Sequence, residues 1–310
     1  MLRRLAAALD RSPWPLGIAA GLIFFFTPHP EWHGDLLVFR EAAESLRHPF
    51  YARWLFALLA LPPEPVAFVL LSLACCAGLY FAVREWGGRP WMLFLSFPYA
   101  WTLFYGQIDG LVVGGLALAF WAMRREKHYW TGAGLILASI KPQVALPQMV
   151  AVWWWSKSRW KPLVIPAVVV GVSFLRWGFW IPDWFNGLFN TRDLTDLSRN
   201  LSWWPWIGPL AAGIFLLVPW LPVDRPRKIL ALAAATMMGV PYFPLSSAVL
   251  WLGMPAPVWA WAAVQLPALT GGLWQDYTVY VALRLLPLLL LGWAAWPVLR
   301  RRPAEAAAVR

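Results

Sequence analysis

The sequence predicts an all-α polytopic membrane protein, and three of its features support that prediction. Of the 310 residues, 60% are hydrophobic and only 13% are charged, whereas a soluble domain keeps about a quarter of its residues charged. Apolar stretches such as residues 64–83, 162–182 and 278–299 are long enough to cross a bilayer core of about 30 Å as helices. The net charge of +11 comes as short basic clusters between apolar runs, which is typical of cytoplasmic loops and not of a nucleic-acid surface.

The basic clusters also predict the topology. Because Lys and Arg accumulate in cytoplasmic loops, we place both termini in the cytoplasm and predict an even number of crossings, about 10 to 12, of the plasma (inner) membrane. The first apolar run, residues 14–26, is interpreted as a retained span, since no small-residue cleavage site is evident. Residues 1–310 then form one integral membrane domain. The cytoplasmic clusters lie at residues 3–11, 84–89, 124–127, 157–161, 225–228 and 300–310.

The spacing of these clusters predicts two short hairpins. Between residues 89 and 124 the chain must cross and return in arms of about 24 Å, so its turn at residues 106–110 cannot reach far into outside water. The next hairpin, between residues 127 and 157, allows about 20 Å per arm and has Lys141 at its turn. Non-helical backbone at such depth must line protein or a water-filled cavity. Both polar turns are therefore expected to face one recess that opens outward.

Two outer segments carry many of the remaining polar residues. Residues 28–63 form the first outer loop, in which apolar positions over residues 35–46 keep helical spacing with charges between them. This pattern predicts an amphipathic helix at the outer interface. A second short apolar stretch in the same loop runs to Leu61 and stops at two prolines. Residues 183–206 form a second outer loop that is polar and rich in tryptophan.

The first half of the chain also contains three motifs, in order. HGDLLVFREAA at residues 33–43, followed by PFY at residues 49–51, resembles the first outer loop of glycosyltransferase family 87. YGQID at residues 105–109 is similar to that family's Gly-Gln turn, and ASIKPQ at residues 138–143 is similar to its Lys-Pro turn. Their order and their matching predicted topology make the resemblance more specific than any single motif.

The resemblance implies a GT-C-like bundle and a membrane-embedded, inverting transferase that is independent of metal ions; we expect no cofactor. Many members resemble polyprenyl-phosphate-mannose-dependent mannosyltransferases. The implied partners are therefore a polyprenyl-phosphate sugar donor, a lipid or glycan acceptor, and membrane lipids. The implied reaction moves a hexose, expected to be mannose, to an acceptor hydroxyl on the extracytoplasmic side. The first-loop aspartate of the family is its catalytic base, and that position is Asp35 in this sequence.

The residue types suggest how such a transfer would work. An acceptor hydroxyl needs a base, and one carboxylate at the membrane surface, Asp35, suits that role. A phosphate leaving group needs cationic stabilisation, which Lys141 at the floor of the recess would supply. Gln107 and Asp109 are expected to hydrogen-bond sugar hydroxyls or to orient Lys141. The other predicted contacts are Gln143 and Arg40 for the donor, and Arg176, Arg192 and Arg199 for the acceptor or a phosphate.

Several of these residues have a structural alternative. Asp35 is a preferred residue type for capping the interfacial helix. Lys141 would instead snorkel to outer water, or it would pair with Asp109, because charges inside membranes usually pair. Arg176 would anchor to lipid headgroups.

One further pattern is compatible with a metal ion. Four side chains of metal-ligand type alternate along the first loop, so an extended backbone would place them on one side. Pro30 and Gly34 interrupt such a strand. The four are His29, Glu31, His33 and Asp35.

Two other classes of function compete with the enzyme. A non-enzymatic transporter or scramblase for lipids or lipid-linked sugars would also need a polar recess that opens to lipid, but no inverted repeat is evident in the sequence. A structural or assembly subunit would tolerate alanine at Asp35 and Lys141 with effects on stability only.

Overall fold

The computed structural model describes residues 14–41, 48–189, 200–269 and 282–299. In that part of the chain all regular elements are helical and no strand is present. The all-α prediction is therefore confirmed there. The terminal basic clusters at residues 3–11 and 300–310 lie outside the described residues.

Seventeen α-helices lie in the described residues, joined in several places by short 3-10 helices. Those of the first half are α1 (Trp14–Phe26), α2 (Gly34–Glu41), α3 (Ala52–Ala60), α4 (Glu64–Trp86), α5 (Pro90–Phe94), α6 (Phe97–Tyr105), α7 (Asp109–Arg124), α8 (His128–Ala138) and α9 (Pro142–Trp155). Those of the second half are α10 (Val164–Trp177), α11 (Ile181–Phe189), α12 (Trp204–Ile207), α13 (Arg225–Gly239), α14 (Val249–Leu252), α15 (Val258–Ala263), α16 (Leu266–Leu269) and α17 (Leu286–Leu299). The 3-10 helices are Pro30–Trp32, Lys161–Leu163, Gly208–Leu216, Val218–Trp220 and Leu245–Ala248.

Within the described part of the chain, α4 alone is long and apolar enough to cross a membrane by itself. Two bent pairs pass the same test together: α6 with α7, which meet at 117°, and Lys161–Trp177 with the start of α11, which meet at 90°. By length and composition, this gives up to three spans. The apolar helices indicate a membrane protein, and the larger number of crossings, about 10 to 12, stays a prediction.

The bend between α6 and α7 lies where the sequence predicts the turn of the first hairpin. Ser96 precedes α6, and its hydroxyl oxygen accepts a hydrogen bond from the Tyr99 amide at 3.2 Å, which caps the helix. α6 ends at Gly106, whose φ of 65° is the left-handed conformation favoured at helix C-termini. α7 begins again at Asp109. Only a three-residue turn therefore separates the two helices.

α7 packs closely against α4 on one side and α8 on another. A Cβ added at Gly114 would lie 2.6 Å from Cα of Gly78 in α4. On the α8 side, a Cβ at Gly115 would lie 2.8 Å from the amide nitrogen of Ala138. Because Cβ atoms essentially never approach other atoms so closely, glycine is what lets the three helices come together.

We expect Gly114→Ala to destabilise the protein, because the new methyl group meets backbone that cannot move aside as a side chain would. Overpacking of this kind costs about 1 to 3 kcal/mol, which would appear as a lower midpoint of thermal unfolding in detergent. The matched control is Gly171→Ala in α10, where an added Cβ meets nothing within 4 Å. That variant should unfold at an unchanged or higher temperature, since alanine favours helix; an equal loss in both variants would contradict the packing argument.

Charged residues of three predicted cytoplasmic loops gather at one end of the helices. Arg124 at the end of α7 lies 3.0 Å from the carboxylate of Glu85 in the last turn of α4. Lys157, just after α9, lies 3.0 Å from the carboxylate of Glu126. Asp109 stands at the other end of α7, about 24 Å away along a helix of 16 residues. The two ends of α7 therefore differ in character, one basic and one carrying the predicted site.

Candidate functional site

Five polar side chains form one hydrogen-bonded chain around the start of α7. Nε2 of Gln107 donates to Oδ2 of Asp35, and Oε1 of the same amide accepts from Nζ of Lys141 at 3.2 Å. Lys141 also donates to both carboxylate oxygens of Asp109, at 3.0 and 2.9 Å. Oδ1 of Asp109 accepts from Oγ of Ser247 at 2.7 Å. The fold thus brings residues of all three sequence motifs into contact.

The ion pair between Lys141 and Asp109 is buried. Only 7% of the lysine side chain and 0% of the aspartate side chain are exposed. Lys141 therefore does not snorkel to outer water, and the alternative in which it pairs with Asp109 describes its position in this structure. Because the two formal charges cancel, the pair adds no net charge to the site.

The turn after α6 fixes the position of Gln107. Its backbone amide donates to the carbonyl of Thr102 at 2.8 Å, which closes the C-terminus of α6. The preceding residue, Gly106, packs directly on α2, where an added Cβ would lie 2.6 Å from Cβ of Leu36. Leu36 follows Asp35 in the chain. Gly106 therefore serves both the left-handed turn and the close approach of the helix that carries Asp35.

His33 fastens the start of α2 to two other elements. Its Nε2 donates to the carbonyl of Phe26 at the end of α1, at 3.0 Å, and its Nδ1 lies 2.9 Å from Oε1 of Glu64 at the start of α4. The imidazole also stacks on Phe68, with 3.8 Å between ring centroids and 4° between planes. The imidazole thus links the end of α1 to the start of α4. These contacts hold the backbone two residues before Asp35.

Two side chains of the first outer loop hold the residues that precede Lys141. Nδ1 of His48 donates to the carbonyl of Ile140 at 3.0 Å. The hydroxyl of Tyr51 donates to the carbonyl of Ser139 at 2.8 Å. Burial raises the pKa of Tyr51 above its ordinary value, so the hydroxyl keeps its proton and remains a donor. The first loop therefore determines where the second hairpin turn lies.

Removing the hydroxyl in Tyr51→Phe should destabilise the protein by about 0.5 to 1.5 kcal/mol, because it removes a hydrogen bond to the half-buried Ser139 carbonyl. The change is measured as a lower midpoint of thermal unfolding in detergent. Tyr80→Phe in α4 is the matched control, since the Tyr80 hydroxyl makes no hydrogen bond to any residue in the described ranges. Equal midpoints for the two variants would show that the bond to Ser139 contributes nothing.

Arg40 lies in the last turn of α2 and is engaged with backbone. Its Nη1 donates to the carbonyls of Leu59 and Pro62, both at 2.7 Å, and so holds α2 against the end of α3. This gives Arg40 a structural contact in the first outer loop. Its contact with the donor stays a prediction.

Of the remaining predicted contacts, Gln143 and Arg176 lie outside the hydrogen-bonded chain. Gln143 lies in the first turn of α9, and its Oε1 is buried without a hydrogen-bond partner among the described residues. Arg176 is exposed in the last turn of α10. Arg192 and Arg199 lie outside the described residues. The roles of these four residues stay predictions.

The alternating pattern from His29 to Asp35 does not form an extended strand. Residues 30–32 are a 3-10 helix and α2 begins directly afterwards, at Gly34. His29 instead pairs with Glu31 at 3.3 Å. Among the residues that the structure describes, no group of three or more His, Cys, Asp and Glu side chains is placed to hold a metal ion.

Sequence reasoning gave no role in the site to four residues that hold it together. For His33, the first residue of the HGDLLVFREAA motif, the sequence suggests no role beyond that of a metal ligand. His48 precedes the PFY motif and Tyr51 is its last residue, yet nothing in their sequence context indicates that they bind a hairpin turn 88 to 92 residues away. Ser247 lies 138 residues from its partner Asp109, and no local pattern marks it.

The family model of glycosyltransferase family 87 matches residues 48–263, more than half of the chain. The matched range contains both hairpin turns, with Gln107 and Lys141, and it extends beyond Ser247. Asp35 lies before the start of the match. No curated protein and no solved structure matches the chain.

Proposed function

Because this chain belongs to glycosyltransferase family 87, in the GT-C superfamily, we propose that it transfers a hexose from a polyprenyl-phosphate donor to an acceptor hydroxyl, with inversion at the anomeric carbon. We propose mannose as the sugar and Asp35 as the general base. Family membership gives the transferase activity, and the donor, the sugar and the base are the parts that this proposal adds.

The contact between Asp35 and Gln107 is the observation that carries the proposal. Gln107 belongs to a turn inside the family-matched range, whereas Asp35 lies in the first loop before it. A carboxylate that serves as a base must be held where the acceptor oxygen arrives. The amide of Gln107 supplies such a restraint, beside the buried pair of Lys141 and Asp109.

In the proposed step, Asp35 takes the proton of the acceptor hydroxyl while the acceptor oxygen forms a bond to the anomeric carbon of the donor sugar. The bond between that carbon and the phosphate oxygen breaks, and the electron pair leaves with the polyprenyl phosphate. Attack from the face opposite the phosphate inverts the configuration. The proton on Asp35 then passes to water. No protein acid is needed, because phosphate is already a competent leaving group.

The hydrogen-bonded polar side chains lie at the start of α7, and this position supports an extracytoplasmic site. The Lys and Arg residues around Arg124 and Lys157 lie near the far end of α7 from Asp109. Basic loops mark the cytoplasmic side. We therefore propose that Asp35 meets its substrates at the outer face of the plasma (inner) membrane, with lipid and donor entering from the outer leaflet.

Reconstitution of the purified protein tests the proposed reaction. Liposomes that contain the protein, labelled polyprenyl-phosphate mannose and lipids extracted from the host should yield a new labelled lipid or glycan. The matched reaction with a labelled sugar nucleotide should give none, because the proposed leaving group is a lipid phosphate. Transfer from the nucleotide alone would overturn the proposed donor class.

The same liposome assay distinguishes a transferase from the two alternative classes of function. A transporter or scramblase would move the labelled donor between leaflets and leave it chemically unchanged. A structural subunit would change neither the position nor the chemistry of the label. Either result, with protein that is folded by size-exclusion chromatography, would overturn the proposed function.

A further inference from the structure

The side-chain amide of Gln107 lies between an acceptor and a donor. Its nitrogen end faces the carboxylate of Asp35 and its oxygen end faces the ammonium of Lys141. A primary amide has one accepting end and one donating end, and the two differ little in shape. What decides its orientation is therefore the set of neighbours.

We propose that Lys141 is a positioning residue for Asp35, acting through the amide of Gln107. This inference rests on the proposed function, in which Asp35 is the base. It assigns Lys141 a different task from the donor-phosphate contact that the sequence predicts.

The ammonium of Lys141 has donors only, so the oxygen of the Gln107 amide must face it. The NH₂ group is then directed to Asp35. Without this ammonium the oxygen end of the amide loses its charged partner, and only the carboxylate of Asp35 still directs the NH₂ group. The amide then holds that carboxylate less firmly.

Lys141 itself is held firmly enough for this task. Both oxygens of Asp109 accept from it within 3.0 Å, and Asp109 in turn accepts from Ser247. The backbone before Lys141 is fixed by His48 and Tyr51. Since the lysine is 5% exposed and its charge is balanced by Asp109, its environment suits an internal contact more than capture of a phosphate.

Kinetics of four proteins test the proposal: wild type, Gln107→Leu, Lys141→Met/Asp109→Asn, and the triple variant that combines these changes. Replacing both charged residues avoids an unpaired buried charge. We expect Gln107→Leu and the double variant each to lower kcat by roughly 10- to 100-fold, with the KM for the donor nearly unchanged. The triple variant should lose no more activity than Gln107→Leu, because Lys141 acts through that amide.

The control is Lys228→Met. Lys228 lies on α13 and donates to the Pro219 carbonyl, and its replacement should leave wild-type kinetics.

Two kinetic results would overturn the proposal. A raised donor KM in the double variant with kcat unchanged would make Lys141 a direct ligand of the donor. Losses that multiply in the triple variant would show that Gln107 and Lys141 act independently. Both conclusions require active wild-type protein, so they leave the proposed function standing.

If wild-type protein shows no transfer, a measurement that needs no substrate still tests the positioning role of Lys141. The rate at which a water-soluble carbodiimide modifies Asp35 is measured by mass spectrometry. Because a missing or loosely held amide donor leaves the carboxylate less restrained, modification should be several-fold faster in Gln107→Leu and in the double variant, with no further increase in the triple variant. Unchanged rates in the double variant would overturn the positioning role, while absence of transfer by wild type would overturn the proposed function alone.

Discussion

We expect Asp35→Asn to abolish sugar transfer by the reconstituted protein and to leave its fold intact. The amide has the shape of the carboxylate and keeps an oxygen that accepts from Nε2 of Gln107. It cannot take a proton from the acceptor hydroxyl. Loss of a general base lowers rates by about 10² to 10⁴-fold, so residual transfer should fall to that level or below detection. The measurement is the initial rate of labelled product formation, with thermal unfolding as the check on the fold.

A second aspartate, in the predicted second outer loop, provides the control for this substitution. Asp183 lies in the first turn of α11, and its side chain is exposed. Asp183→Asn removes the same charge from the protein and should transfer sugar at the wild-type rate. Equal activity of Asp35→Asn and Asp183→Asn would contradict the role of Asp35 as the base. Equal loss in both would point to a general effect of charge at the outer surface.

The sequence predicts the two turns of the site for a physical reason. Gly106 and Pro142 are residues that end or begin helices, and they stand beside polar residues inside apolar runs. Polar groups at that depth must meet one another or water. The convergence of Gln107, Lys141 and Asp109 therefore follows from local patterns and from the free-energy cost of polar groups that have neither a partner nor water.

The contacts that hold these turns do not follow from local patterns. Tyr51 and Ser139 are 88 residues apart, and His33 and Glu64 are 31 residues apart. A histidine or tyrosine in an outer loop has many acceptors within reach, so its partner is set by how the helices pack. That packing depends on close approaches such as the one at Gly114, which a hydropathy pattern does not contain.

Sequence and structure also divide the apolar runs differently. The chain has long hydrophobic stretches, yet in the described residues prolines, glycines and 3-10 turns divide many of them into helices of 4 to 14 residues. Residues 162–182, for example, contain the end of a 3-10 helix, all of α10 and the start of α11, with a bend of 90° between the last two. A profile of mean hydropathy predicts one span there, because it contains no information about the bend.

Removing one member of the buried ion pair should strongly destabilise the protein. Lys141→Ala leaves the Asp109 carboxylate with only the hydroxyl of Ser247 as a donor among its described contacts. Breaking a buried pair in this way costs about 3 to 5 kcal/mol, because the remaining charge has lost both water and partner. Such a loss is a large part of a typical stability of about 5 to 15 kcal/mol. The readouts are the yield of monodisperse protein and the midpoint of thermal unfolding.

A second ion pair of nearly the same length separates the effect of burial from that of distance. Nζ of Lys157 and a carboxylate oxygen of Glu126 are 3.0 Å apart, but these side chains are 74% and 57% exposed, against 7% and 0% for Lys141 and Asp109. Lys157→Ala should therefore change the free energy of unfolding by less than about 1 kcal/mol. If the buried cost comes from an unpaired charge, Lys141→Met/Asp109→Asn should recover most of the stability that Lys141→Ala loses. A double variant as unstable as Lys141→Ala would show that the pair itself, and not the avoidance of a lone charge, holds the two hairpin turns together.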